Sequence, residues 1–122
     1  VAHNPAAASA LSKVLGRYPV DGRTLAIVAI MDDKDLIGIL EPMLPEVDEW
    51  LVTQTGDERS ASAESLKEAL GEGVIVIAHP DIATACEHAK YNVSQGDRVL
   101  VFGSFYLVGP AMSALGLYFG SS

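Results

Sequence analysis

The sequence predicts an α/β layer fold: a mostly parallel sheet with helices on both faces. Three observations predict it. Apolar segments of strand length alternate with segments of helical period along the whole chain. Two of the strand segments are apolar at both parities, as strands covered on both faces must be. The 122 residues, 49% of them hydrophobic, suffice for one cored domain and leave no room for a second.

Residues 5–16 are rich in Ala and Leu, follow Asn4 as a cap and Pro5 at a first helical position, and end at Gly16, so they form a first helix. Residues 24–31 (TLAIVAIM) show no polar alternation and read as a central strand. Residues 33–44 space Leu36, Ile37, Leu40 and Leu44 as a helix before Pro45, and residues 49–53 around Trp50 form the next strand. Residues 54–62 are a polar loop, residues 62–70 a helix closed by Gly71, residues 74–78 a third strand and residues 81–92 a third crossover helix. Residues 98–102 make a fourth apolar strand ending at Gly103-Ser104, residues 106–118 an amphipathic segment, and residues 120–122 a frayed end. Internal repeats, low-complexity tracts and internal linkers are absent.

Composition narrows the function. Eight Lys and Arg against sixteen Asp and Glu give a net charge of −8, a field that repels nucleic acid and anionic lipid. The longest apolar runs, residues 24–31 and 99–102, are far below the ~20 residues of a membrane span, and residues 1–5 hold no basic leader. Cys86, the single cysteine, has no internal disulfide partner; the expected setting is the reducing cytoplasm.

In an open parallel sheet, ligands sit beyond the carboxyl ends of the strands. That edge would hold residues 32–35, 53–59, 79–80 and 103–105. Neither G-x-x-x-x-G-K-[ST] nor G-x-G-x-x-G occurs, so the chain has no glycine-rich phosphate cradle. Gly103-Ser104 is half of a nucleophile elbow without its remaining parts, which argues against serine hydrolysis and leaves Ser104 as a turn or cap. Asp32, Asp33 and Asp35 could hold a divalent ion, but acidic residues before a helix also cap it and complement its dipole. Lys34 opposes that dipole unless acids or an anionic ligand compensate. Among His3, His79, Cys86 and His88 a metal site is not expected: Cys86 reads as core filling and His88 as surface. His3-Asn4-Pro5 could be an extended lead-in with an Asn cap, although the start reads as if cut from a longer chain.

Residues 1–5 (VAHNP) resemble the end of the D-x-A-H-N-P motif that opens the C-terminal domain of folylpolyglutamate synthases and bifunctional dihydrofolate synthases, here without the leading Asp. The likeness continues in order through Gly22-Arg23 to Met31, through Asp33, Lys34, Asp35 and Gly38, and through Pro45 to Asp48, Trp50 and Thr53. It ends with residues 99–108, which include G-S-F-Y. It covers nearly the whole chain and is strongest to bacterial bifunctional enzymes.

This resemblance implies a Rossmann-like domain of the Mur-ligase C-terminal type, spanning residues 1–122, that closes over an N-terminal ATPase domain. It implies a ligase that converts a substrate carboxylate to an acyl phosphate with ATP and Mg, and then joins it to the amine of L-glutamate. The partners implied are that ATPase domain of the same chain, L-glutamate, and a pterin or folate substrate. His3 and Ser104 match positions linked to glutamate binding, and Lys34 lies in a loop that holds the incoming amino acid in related ligases. The missing Asp would have touched the ATP ribose, and Leu107 stands where bacterial relatives commonly have Thr. No general base is identifiable, His3 being only a candidate, and the fragment alone is expected to be inactive. The competing reading is an autonomous Rossmann-like small-molecule binding module without catalysis; an upstream reading frame carrying a P-loop would separate the two.

Overall fold

The computed structural model describes residues 5–32, 34–54 and 58–103, with residues 102 and 103 described as backbone. Four strands form one sheet in the order β3-β2-β1-β4: β1 Thr24–Ala29, β2 Glu49–Val52, β3 Ile75–Ala78 and β4 Arg98–Gly103. All three pairings are parallel, with Leu25 opposite Glu49 and Val99, and Glu49 opposite Ile75. The predicted parallel sheet is therefore observed, with strand boundaries shifted by one or two residues.

Every residue of β1 is buried, as its lack of polar alternation requires. Its two parities face two separate cores. Ala26, Val28 and Ile30 join Trp50, Val52, Ile39, Leu40, Met43 and Leu66 beneath α1 (Pro5–Arg17), α2 (Leu36–Leu40) and α3 (Ala63–Leu70). Leu25, Ile27, Ala29 and Leu51 join Ala85, Cys86 and Ala89 of α4 (Ile82–Asn92) on the other face. Helices thus cover both faces, and Cys86 fills core as expected. Among the described residues, no helix is long and apolar enough to cross a membrane.

The helix expected over residues 33–44 is shorter. Asp35 caps α2 by accepting from the Gly38 N–H at 3.0 Å, and after Leu40 the chain tightens into a 3-10 helix, Glu41–Glu46. Pro42 and Pro45 lack the N–H groups that would continue an α-helix, which explains the change. α3 and α4 follow their capping signals, while α1 runs to Arg17, one residue past the Gly16 expected to end it. Ser62 accepts from Ser65 N–H at 3.0 Å, Asp81 accepts from Thr84 N–H at 2.7 Å, and Gly71 ends α3 at φ +78°. The amphipathic segment predicted over residues 106–118 lies outside the described residues.

At the amino ends of the strands, side chains stitch the elements together. Arg23 donates to Glu49 at 3.1 Å and to Asp97 at 3.4 Å, and its backbone N–H donates to Asp97 at 2.7 Å. Arg98 donates to the Thr24 hydroxyl and the Tyr18 carbonyl, both at 2.8 Å. The Asp97 carboxyl sits below its ordinary value because the backbone N–H groups of Ser94 and Arg23 donate to it.

Truncating Leu66, a fully buried residue of α3, to Ala removes packing without leaving a replacement. Urea unfolding of Leu66→Ala is expected to show a loss of about 2–5 kcal/mol. Tyr91→Ala, at an 80% exposed position, is expected to stay within about 0.5 kcal/mol of the parent.

Candidate functional site at the carboxyl edge

The path of the chain selects one position on the sheet edge. From β1 it moves outward through α2 to β2 and through α3 to β3, then crosses the opposite face through α4 to β4 on the far side of β1. The winding reverses between β1 and β4, which makes the carboxyl edge at these two strands the topological switch point, the ligand position of open α/β sheets. Ala29 pairs with Gly103 at that edge. Lys34 follows β1 there, while Ser104, next after Gly103, and His3 lie outside the described residues.

The β1 loop is held on its β2 side. The Asp32 N–H donates to the Arg59 carbonyl at 2.6 Å, the Ala61 N–H donates to the Ile30 carbonyl at 2.7 Å, and Met31 bridges Ser60 antiparallel. Lys34 N–H closes the turn onto the Met31 carbonyl at 3.2 Å. Thr53, fully buried, donates from its backbone to Val28 and from its hydroxyl to the His79 carbonyl, each at 3.0 Å. The loops after β1, β2 and β3 are therefore tied to one another, through main-chain groups and the Thr53 hydroxyl.

Lys34 is exposed, and among the described residues no carboxylate lies within 4.0 Å of its ammonium. Asp35, its neighbour, is engaged as the α2 cap, which supports the capping explanation of that acid over a metal-binding one. Among the described residues no three acidic, imidazole or thiol groups converge as metal ligands. Lys34 and Asp35 border an open cleft of about 430 Å³ with Leu36, Ile37, Ser65 and Glu68 along its walls. Ser65 and Glu68 carry no local sequence signal for this site, because only the packing of α3 beside α2 brings them near Lys34.

The start of α1 reaches the same edge. A Cβ on Gly38 would lie 3.0 Å from Pro5 Cγ and 2.8 Å from Asp35 Cγ, so the glycine permits Pro5, Asp35 and α2 to meet. Pro5, two residues after the predicted site residue His3 in sequence, is thus anchored next to the Lys34 loop. One surface expectation fails. The His88 side chain is 20% exposed, with Nε2 3.3 Å from Glu49 Oε1, because its position on α4 turns it toward the sheet rather than toward solvent.

The glutamate ligase domain of Mur ligases matches this sequence over residues 1–105. The chain belongs to that family. It is 36% identical over 115 residues to the dihydrofolate synthase/folylpolyglutamate synthase of Escherichia coli, covering 94% of this chain and 26% of that enzyme. A solved Escherichia coli FolC with DHPP and ADP superposes with a TM-score of 0.86 at 35% identity, covering 95% of this chain and 27% of that one. A bifunctional folylpolyglutamate synthase/dihydrofolate synthase with Mn, AMPPNP and L-glutamate bound superposes at 0.84 and 37% identity, over 96% of this chain and 28% of that one. The chain spans about a quarter of the length of the curated relatives it matches, and corresponds to their C-terminal domain.

Gly38→Ala places its methyl group against the Asp35 carboxylate and Pro5. The expected loss is about 1–3 kcal/mol from the displaced cap and overpacking, measured by urea unfolding, with amide shifts in NMR spectra concentrated at residues 34–38.

Proposed function

We propose that this domain presents L-glutamate in an ATP-dependent amide ligase acting on dihydropteroate, on folates, or on both, through an acyl phosphate. One observation carries the reading: its similarity, across nearly its full length, to a ligase structure with Mn, AMPPNP and L-glutamate bound. Glutamate brings two carboxylates and one amine. It calls for a cation, a hydroxyl and free amide donors in a confined crevice. Lys34 supplies the cation at the carboxyl edge of the sheet, and Ser104 and His3 are assigned to glutamate with it.

The amine forms the new bond at the acyl carbon as phosphate leaves, and the nitrogen gives up a proton. The domain's part is to hold the amine in line, an effect worth ~7–11 kcal/mol where alignment is good. The described residues do not suit the nucleotide or its metal, since no ligand cluster converges among them and the chain has no glycine-rich phosphate cradle. ATP and Mg are assigned to an N-terminal ATPase domain of the same ligase. The cytoplasm is its proposed location, in keeping with a single, buried thiol.

Two experiments test this reading. The isolated 122-residue chain is expected to release no ADP from ATP, and a chimera in which it replaces the matching quarter of the Escherichia coli enzyme is expected to release ADP only when glutamate and a folate acceptor are present. A chimera that binds ATP but never responds to glutamate contradicts the proposal. In that chimera Ser104→Ala removes a hydrogen bond to a charged group, about 1.5–3 kcal/mol. Glutamate titration should then show a rise of roughly ten- to a hundred-fold in half-saturation with ATP dependence unchanged. Unchanged glutamate dependence with lowered stability identifies Ser104 as a helix cap instead.

A further inference from the structure

On the sheet face covered by α4, Glu49 at the start of β2 shares a parity with Leu51, and His79, just past β3, shares one with Ile77. His88 reaches both from α4. Its Nε2 stands 3.3 Å from Glu49 Oε1, and its ring centroid lies 5.0 Å from that of His79, edge to face at 84°. The other Glu49 oxygen accepts from Arg23 at 3.1 Å, and Arg23 donates onward to the Asn92 carbonyl at 2.7 Å at the end of α4. A line of polar groups therefore runs beneath α4 from the carboxyl edge to the amino edge of the sheet.

One end of that line is open. His79 Nε2 is buried and meets no hydrogen-bond partner among the described residues. The main chain of His79 is fixed at both groups: its N–H donates to the Val52 carbonyl at 2.9 Å, and its carbonyl accepts from the Thr53 hydroxyl at 3.0 Å. Only the ring can change place without breaking those bonds.

We propose that His79 and His88 form a proton-operated latch under α4: with at most one charge on the two rings, His79 stays folded against His88, and a second charge drives the His79 ring into solvent and loosens α4 from β2 and β3. A charge on His88 meets the Glu49 carboxylate, which Arg23 holds in place. A charge on His79 Nε2 is buried in the folded position and meets no acceptor among the described residues. Of the other titratable groups packed around the pair, Asp81 at the α4 cap attracts a charge on His79, and the Cys86 thiol is pushed up by burial and stays neutral.

Burial, then the neighbouring His88, hold His79 below its ordinary value of 6.5, against the weaker opposing pull of Asp81. A His held below its unfolded value binds more protons when unfolded. Its contribution is complete above about pH 6.5 and is lost as pH falls through the lower, folded value. Asp81 and Asp97, both held below 3.8, lose theirs only under about pH 4, which separates the two effects.

Histidine ring NMR of the chain, titrated from pH 8 to 5, is expected to give a His79 midpoint below 6.5 that moves upward in His88→Gln. The thermal midpoint is expected to fall between pH 7.5 and 5.5 in the parent chain and to fall less in His79→Gln, with α4 amide exchange following the same pattern. A His79 midpoint at or above 6.5 overturns the latch. So does an equal fall in His79→Gln. Should His88→Gln fail to fold, the parent midpoint and the His79→Gln comparison still decide the matter.

Discussion

β1 has solvent on neither face, and the arrangement of the domain follows from that constraint. Leu25, Ile27 and Val28 are fully enclosed, each such side chain contributing about 1.5–3 kcal/mol of burial. A strand covered on both sides needs helices on both sides, and a parallel neighbour on each edge to take its backbone hydrogen bonds. The chain meets both demands by winding outward along one face to β3 and returning across the other to β4. The switch point between β1 and β4 is a consequence of this double winding rather than a separate invention.

The two ends of the sheet are built differently. At the amino end Arg23, Arg98, Asp97 and Glu49 lock side chain to side chain and side chain to backbone. At the carboxyl end the ties are mostly main-chain groups, such as Asp32 to Arg59 and Ala61 to Ile30, which fix the loops while leaving Lys34 exposed. Three tied loops and an exposed cation on this edge fit the anionic substrate proposed for it. The line from His79 through His88 to Arg23 connects the two ends beneath α4 and sets a pH dependence on that face.

Much of this was legible because local rules and the global fold agree. Residues 24–29 lack polar alternation, Ser62 and Asp81 precede their helices, and Gly71 follows one, so strand, caps and crossover order could be read directly. The helix over residues 33–44 was overread because its apolar spacing hid what Pro42 and Pro45 do to the backbone. His88 was misplaced on the surface, since its burial depends on where Glu49 and His79 lie in the neighbouring strands, and pairing register is not local information. Ser65 and Glu68 became part of the Lys34 cleft only through helix packing. The family likeness rested on short motifs at proper separations, and the match over residues 1–105 bears it out.

The central claim is that the carboxyl edge between β1 and β4, and not another surface of this domain, receives L-glutamate. Amide chemical-shift mapping of the isotope-labelled domain within the active chimeric ligase, with AMPPCP and increasing L-glutamate, tests it directly. The account predicts saturating shifts at Asp32, Lys34 and Ser104, with Arg23, Asp97 and the middle of α4 unmoved. Saturating shifts centred on Arg23 and Asp97, with the residues around Lys34 and Ser104 silent, would contradict it.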